Sequence, residues 1–267
     1  MAKLSISRAW DETRATIGRD GKLLIAVVLA LVVFPQTLAG VIEPEGGMRP
    51  SGLIAALVGV VGQLALIRLA IGPATTVKTA IGEGASRFPS VFAAYVLLIL
   101  GIVLLCVPIA VIAALLGVPV PQAGDKPSGP LLLLSMGLVV IALALWARFV
   151  IFPAIAVGEK LGPVALLKRS WSLTKGSYWR LLAFVMLLLI FTIVLMAAAG
   201  ALGGILGSLA SEGQVQALSL GALLLALTVA AASGVLSLVG SVMVAHIYGQ
   251  LAGADQAVTS VPKAAAD

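Results

Sequence analysis

Apolar positions gather into six long stretches, at roughly 22–42, 52–72, 91–117, 131–156, 178–206 and 217–246, and polar positions fall between them. Each stretch reaches the ~20 residues that an α-helix needs to cross a ~30 Å hydrocarbon layer. The pattern predicts an all-α, polytopic membrane protein with six transmembrane helices. Residues 1–252 read as a single integral membrane domain and 253–267 as a flexible cytoplasmic tail.

Before spans one, three and five the period changes to that of an amphipathic helix. Ile6, Trp10, Thr13 and Ile17 recur at i, i+4, i+7 and i+11 and share one stripe, with Arg8, Asp11 and Glu12 turned away. Val77, Ile81, Gly84 and Phe88 keep the same spacing, although Gly82 and Gly84 weaken that helix. In the third segment Pro163 suits a first helical turn. There Val164, Leu167, Trp171 and Thr174 fill one side, and Lys168, Arg169, Ser172 and Lys175 fill the other.

These segments belong to an internal repeat. Arg68-Leu-Ala-Ile71-Gly-Pro73-Ala74 and Arg148-Phe-Val-Ile151-Phe-Pro153-Ala154 match at Arg, Ile, Pro and Ala, offset by 80. Arg8-Ala9-Trp10 with Thr13-Arg14 matches Arg169-Ser170-Trp171 with Thr174-Lys175, offset by 161, and Ser86-Arg87-Phe88 falls about midway. The expected unit is an amphipathic helix followed by two spans, repeated three times. His246 takes the place of Arg68 and Arg148 in the third copy.

Composition agrees with a membrane environment: 61% of residues are hydrophobic and 10% charged, against about 45–50% and 25% in soluble domains. Fifteen of the seventeen Lys and Arg fall on one side of the expected spans, leaving Arg49 and Lys126 on the other. The positive-inside rule then puts both termini and the two longer loops in the cytoplasm. The formal charge of +6 borders hydrophobic helices and forms no nucleic-acid face. Opposite loops are mildly acidic (Glu43, Glu45, Asp125, Glu212). Thr37-Leu38-Ala39 resembles a processing site, yet the region before it contains Asp11, Glu12 and Asp20, and its retention is expected.

Candidate contacts to anionic lipid headgroups are Arg8, Trp10, Arg68, Arg148, Lys168, Arg169, Trp171, Lys175, Trp179 and Arg180. Trp beside a basic face is the composition of a helix lying in the headgroup layer; packing of the same helices on the bundle ends is the other reading. Arg68 and Arg148 lie one or two turns inside their spans, close enough to snorkel. Gln63, near the middle of span two, and Gln36, beside Pro35, read as interhelical hydrogen-bond donors. Pro35 and Pro108 are expected to kink their spans. Gly200, Gly203, Gly204 and Gly207, with Ala231, Ala232, Ser233 and Gly234, form small surfaces for close helix approach.

Catalytic patterns are missing. One histidine and one cysteine, Cys106, leave no His/Cys zinc site. No Gly-x-Ser-x-Gly elbow or phosphate-binding Gly-rich loop is present. Ser233 and His246 stand 13 residues apart on one helix, about 20 Å along its axis. Glu83 and Glu159 each follow a glycine in the larger loops and read as helix-terminus carboxylates. No metal or cofactor is expected.

The stretch from Arg148 to Leu181 carries Pro153-Ala154, Val157-Gly158-Glu159, Lys168-Arg169-Ser170-Trp171, Leu173-Thr174, Gly176 and Trp179-Arg180. With Arg8-Ala9-Trp10 and the six-span layout, it resembles the glycerophosphoryl diester phosphodiesterase membrane-domain family. In some relatives that domain is fused to a soluble hydrolase whose centre needs paired histidines, carboxylates and a metal. The resemblance implies a stand-alone inner-membrane domain without that activity. The expected function is non-enzymatic: a scaffold for lipid or a membrane protein partner, built on basic cytoplasmic helices. The alternative is a transporter or export component for a lipid or small solute, a class in which internal repeats are common.

Overall fold

A computed structural model describes residues 4–44, 50–71, 76–115, 129–211 and 216–259. Every regular element among them is helical. Six helices are long and apolar enough to span a bilayer: Ile6–Ile42, Pro50–Ile71, Val77–Pro108, Ser135–Gly158, Tyr178–Ala210 and Leu220–Gly253. The protein is an all-α, multi-pass membrane protein.

The first helix is longer than expected. α1 (Ile6–Val28) passes through a π-helical turn (Leu29–Val33) into α2 (Phe34–Ile42) without a break. The amphipathic segment and span one are therefore one rod of 37 residues, about 55 Å long. The Ser5 hydroxyl caps its start by accepting from the Arg8 N–H. Pro35 cannot donate to a carbonyl one turn back, and the turn before it absorbs the defect: the Phe34 N–H reaches the Leu29 carbonyl, a π-type bond.

α3 (Pro50–Ile71) follows. α4 (Val77–Leu115) likewise joins the second amphipathic segment to span three, with Pro89 and Pro108 inside it. α5 (Gly129–Phe149) ends earlier than the expected span of 131–156. The chain breaks at Val150-Ile151 and resumes as α6 (Phe152–Gly158), with Pro153 in its first turn. The repeated Arg-x-x-Ile-x-Pro-Ala element is thus a helix break in its second copy. In the first copy Arg68 to Ile71 closes α3, while Pro73 and Ala74 lie outside the described residues. α7 (Pro163–Thr174) is the separate amphipathic helix, turned by Lys175–Ser177 into α8 (Tyr178–Ala210). α9 (Leu220–Thr259) continues past the boundary expected at residue 252. Arg49, Lys126, Lys263, Glu45, Asp125 and Glu212 lie outside the described residues.

α9 is the central post, packed against α8, α3, α1 and α2. Lipid removes the hydrophobic drive between spans, so close approach through small residues must replace it. A Cβ on Gly234 would lie 2.9 Å from Val28 and 2.7 Å from Val33, and one on Gly62 would lie 2.9 Å from Leu31. Gly203 faces Thr228 and Leu225, while Gly200 and Gly204 on the same helix face open space. Gly84, expected only to weaken its helix, seats α4 on the backbone of α3: a Cβ there would stand 3.1 Å from the Ala65 nitrogen.

The largest buried cluster lies where the basic residues gather, hereafter the basic end. It joins Leu64, Ile67, Ala147, Ile151 to Ala156, Leu166, Leu181 and Ile247. α6 is wholly apolar from Phe152 to Ala156 and buried throughout that stretch, a plug beneath the surrounding helices. Elsewhere large side chains such as Leu104, Leu133 and Leu209 point outward, as a hydrocarbon solvent permits.

Candidate functional site

At the basic end the even-numbered spans each hand a basic residue to the next amphipathic segment. Arg68, closing α3, forms an ion pair with Glu83 on α4. The Arg148 guanidinium, at the end of α5, lies 4.6 Å from the Trp171 ring centre on α7 and 4.4 Å from that of Tyr178. His246, on α9, shares a 3.0 Å hydrogen bond between Nε2 and the Thr16 hydroxyl on α1, with Nδ1 3.6 Å from Glu12. The three links run from unit one to two, two to three, and three back to one. Such closure is what a threefold repeat needs if its last span is to meet its first helix.

The matched Trp elements also take the same pose. Ala9 and Ser170 are fully buried, as are Thr13 and Thr174. Each threonine donates to the carbonyl one turn back: Thr13 to Ala9 at 2.7 Å and Thr174 to Ser170 at 2.9 Å. Trp10 and Trp171 face outward, 45% and 46% exposed. The buried stripe is therefore rotated from the expected one. In α7, Leu166, Ser170, Leu173 and Thr174 dock, and Val164 and Trp171 stay exposed. At about 100° per residue, the strip of Val164, Leu167 and Trp171 lies beside this docking face, with Lys168 and Lys175 along its far edge. Packing on the bundle, one of the two expected alternatives, is met by this docking face, and the adjacent apolar strip is left exposed. α1 repeats this with Ala9, Thr13 and Thr16 buried. α4 buries Ala80 and Gly84 in preference to Ile81.

Most candidate arginines are engaged within the chain. Arg8 pairs with Glu12 at 2.8 Å, and Arg169 meets both Glu159 oxygens at 3.2 Å. The Tyr248 hydroxyl also donates to Glu159 at 3.2 Å, and Tyr248 covers Gly158 so closely that a Cβ there would be 2.7 Å from its oxygen. Glu83 and Glu159 are thus arginine partners, a pairing that the Gly-Glu spacing alone did not disclose. Arg180 donates to the Leu4 carbonyl and joins the start of α8 to the start of α1. The Ser5 N–H donates to Gln250 at 3.0 Å, fastening α1 to the end of α9. The Arg148 Nη1 is buried with no hydrogen-bond partner among the described residues.

Lysine and tryptophan face outward, as does the exposed Arg8. Lys168 and Lys175 are exposed, and Trp179 is 78% exposed beside Tyr178, their rings 5.6 Å apart. A Trp that carries both an apolar ring and an N–H suits the boundary between acyl chains and headgroups. A lysine supplies a mobile point charge that can follow a phosphate.

The amides inside the spans behave differently from expectation. Neither Gln63 nor Gln36 makes a side-chain hydrogen bond among the described residues. Gln36 borders a small cleft with Gly40, Ala55 and Ala226. Gln63 opens onto a cavity of about 720 Å³ between α4, α5 and α9. Sequence reasoning missed that Gln63 shares this cavity with Ser237 and Ser241 on a distant helix.

Comparison with curated proteins and with solved structures finds no match for this chain. A family model described as "Domain of unknown function (DUF7847)" matches residues 4–251, which takes in every span and all three basic segments. The chain belongs to the DUF7847 family.

Proposed function

We propose that the protein is a non-enzymatic membrane protein of the bacterial inner membrane, with both termini cytoplasmic, that gathers anionic lipid at its basic end. The observation that carries this is the shared pose of Trp10 and Trp171. Each is exposed beside a small residue and a threonine that are fully buried. At both matched positions the fold seats a small residue and a threonine on the docking face and leaves the tryptophan ring outside, where lysines flank Trp171. The sequence resemblance of Arg148 to Leu181 to the glycerophosphoryl diester phosphodiesterase membrane domain fits the same reading, as a lipid-facing domain without the hydrolase. The positive-inside asymmetry supports the orientation.

Extraction in native-lipid particles followed by lipid mass spectrometry tests the proposal. Wild type is expected to retain anionic lipid above its share of the surrounding membrane. Lys168→Ala and Lys175→Ala should each lower that preference by about fivefold, the effect of ~1 kcal/mol per basic residue near an anionic surface. A lipid profile equal to the bulk membrane for wild type refutes it; stoichiometric capture of one membrane protein through the same lysines would replace lipid with a protein partner.

A further inference from the structure

The cavity beside Gln63 has no counterpart in the headgroup reading. It is lined by α3, α4, α5, α6, α8 and α9, and among the described residues no Asp, Glu, Lys, Arg or His contributes to it. α5 packs on α8 and α7, whereas no comparable packing joins it to α4 among the described residues, so the space between them opens sideways toward the bilayer. Phe152 and Pro153 of the α6 plug close it at the basic end. The volume of about 720 Å³ falls within the ~300–1,000 Å³ of small-molecule sites.

Its polar groups mark it as more than a lipid-filled seam. Gln63, Tyr95, Ser237 and Ser241 all border it. The Ser241 hydroxyl is buried with no hydrogen-bond partner among the described residues, and Ser241 is only 2% exposed. Gln63, Ser237 and Tyr95 likewise make no side-chain hydrogen bond there. Three other hydroxyls on α8 and α9 satisfy themselves against their own helix, although the buried Thr37 hydroxyl of α2 does not. Thr192 donates to Leu188, Ser208 to Ile205 and Thr228 to Leu224. Unmet polar groups in hydrocarbon are costly, and four of them border this one apolar cavity, Ser241 fully buried.

We propose that this cavity binds an uncharged lipid bearing a free hydroxyl or ester carbonyl, of the diacylglycerol or long-chain alcohol kind. The polar group is held among Gln63, Tyr95, Ser237 and Ser241, and the chain leaves between α4 and α5. An ionised headgroup is refused, because nothing in the lining could compensate its charge. Two glycines of the lining, Gly101 and Gly240, have nothing within 4 Å of an added Cβ, so leucine at either position is expected to reduce the cavity.

The test uses full-length purified protein and a long-chain alcohol carrying a diazirine and an alkyne. Saturable labelling is expected on peptides spanning 95–102 and 142–153. Competition by dioleoylglycerol identifies a glyceride source, and competition by an unlabelled polyisoprenol identifies an alcohol. Octadecane and dioleoylphosphatidylglycerol should not compete. Gly240→Leu and, separately, Gly101→Leu should abolish labelling while preserving elution as a single species; either alone suffices if the other aggregates. Ser241→Ala and Gln63→Leu should each weaken competition by about fivefold, one hydrogen bond's worth. Labelling displaced equally by octadecane, spread over Leu133 and Leu209, or unchanged by both leucine variants overturns the proposal. Lys168→Ala and Lys175→Ala leave this labelling unchanged, so the two proposals fail separately.

Discussion

Arg148 and Trp171, 23 residues apart in sequence, meet with the guanidinium carbon 4.6 Å from the indole centre. The Tyr178 ring stands on it at 4.4 Å, and the Ser170 hydroxyl donates to the Arg148 carbonyl at 2.8 Å. The end of α5 is thereby held to α7 and the start of α8. The Arg148 Nη1 is buried without a hydrogen-bond partner among the described residues, and two ring faces cover the guanidinium instead.

Removing a ring from this arrangement should therefore cost stability. Trp171→Ala is expected to destabilise by about 1 kcal/mol, the range for a cation–π contact that is partly exposed. Trp171→Phe, which keeps a weaker ring, should lie between that and wild type. Thermal unfolding in detergent measures both. Equal stability of all three proteins would show that Arg148 is held by other means.

Glu159 and Arg169 form a partly buried pair with Tyr248 as a third member. A double-mutant cycle of Glu159→Gln and Arg169→Gln should give a coupling of about 1 kcal/mol, since both side chains retain solvent access. The coupling should shrink as salt rises. Coupling near zero at low salt would reduce the pair to a coincidence of geometry.

Adjacent glycines give opposite expectations. Gly203→Val drives a side chain into Thr228 and Leu225 on α9, whereas Gly204→Val meets nothing. The first should lose about 1–3 kcal/mol by overpacking and the second should change little. The same contrast holds on α4. Gly82→Ala should stabilise by up to about 1 kcal/mol through helix propensity, while Gly84→Ala must push α4 away from the α3 backbone at Ala65 and Val61. Unfolding midpoints of the four proteins decide both comparisons.

The spans were legible because a hydrocarbon solvent demands long apolar runs, and that demand is local in sequence. The repeat was legible for a related reason: Arg8-Ala9-Trp10 and Arg169-Ser170-Trp171 kept their order. The phase of the amphipathic helices was not. Periodicity marks the apolar stripe, but here Ala9, Thr13, Ser170 and Thr174 dock because small side chains allow close approach, and Trp is left outside. The break at Val150-Ile151 was hidden within an unbroken apolar run, as α6 is buried in protein and needs no polar signal. The partner of Arg68 and the cavity beside Gln63 depend on which helices adjoin, and no single-span pattern carries that information.

Orientation gives the last expectation, and the lone cysteine makes it accessible. Cys106 is half-buried in α4, so Cys106→Ser supplies a thiol-free background. In that background Ser172→Cys, exposed on α7, should resist a membrane-impermeant maleimide in intact cells and react fully in inside-out vesicles. Ala15→Cys, exposed on α1, should follow it, because the Arg180 bond to Leu4 holds the two segments at one end of the bundle. Labelling of both from outside would invert the protein and remove the anionic inner leaflet as its lipid source. Labelling of one from each side would contradict the packing that unites Leu4, Leu166 and Leu181 in a single buried cluster.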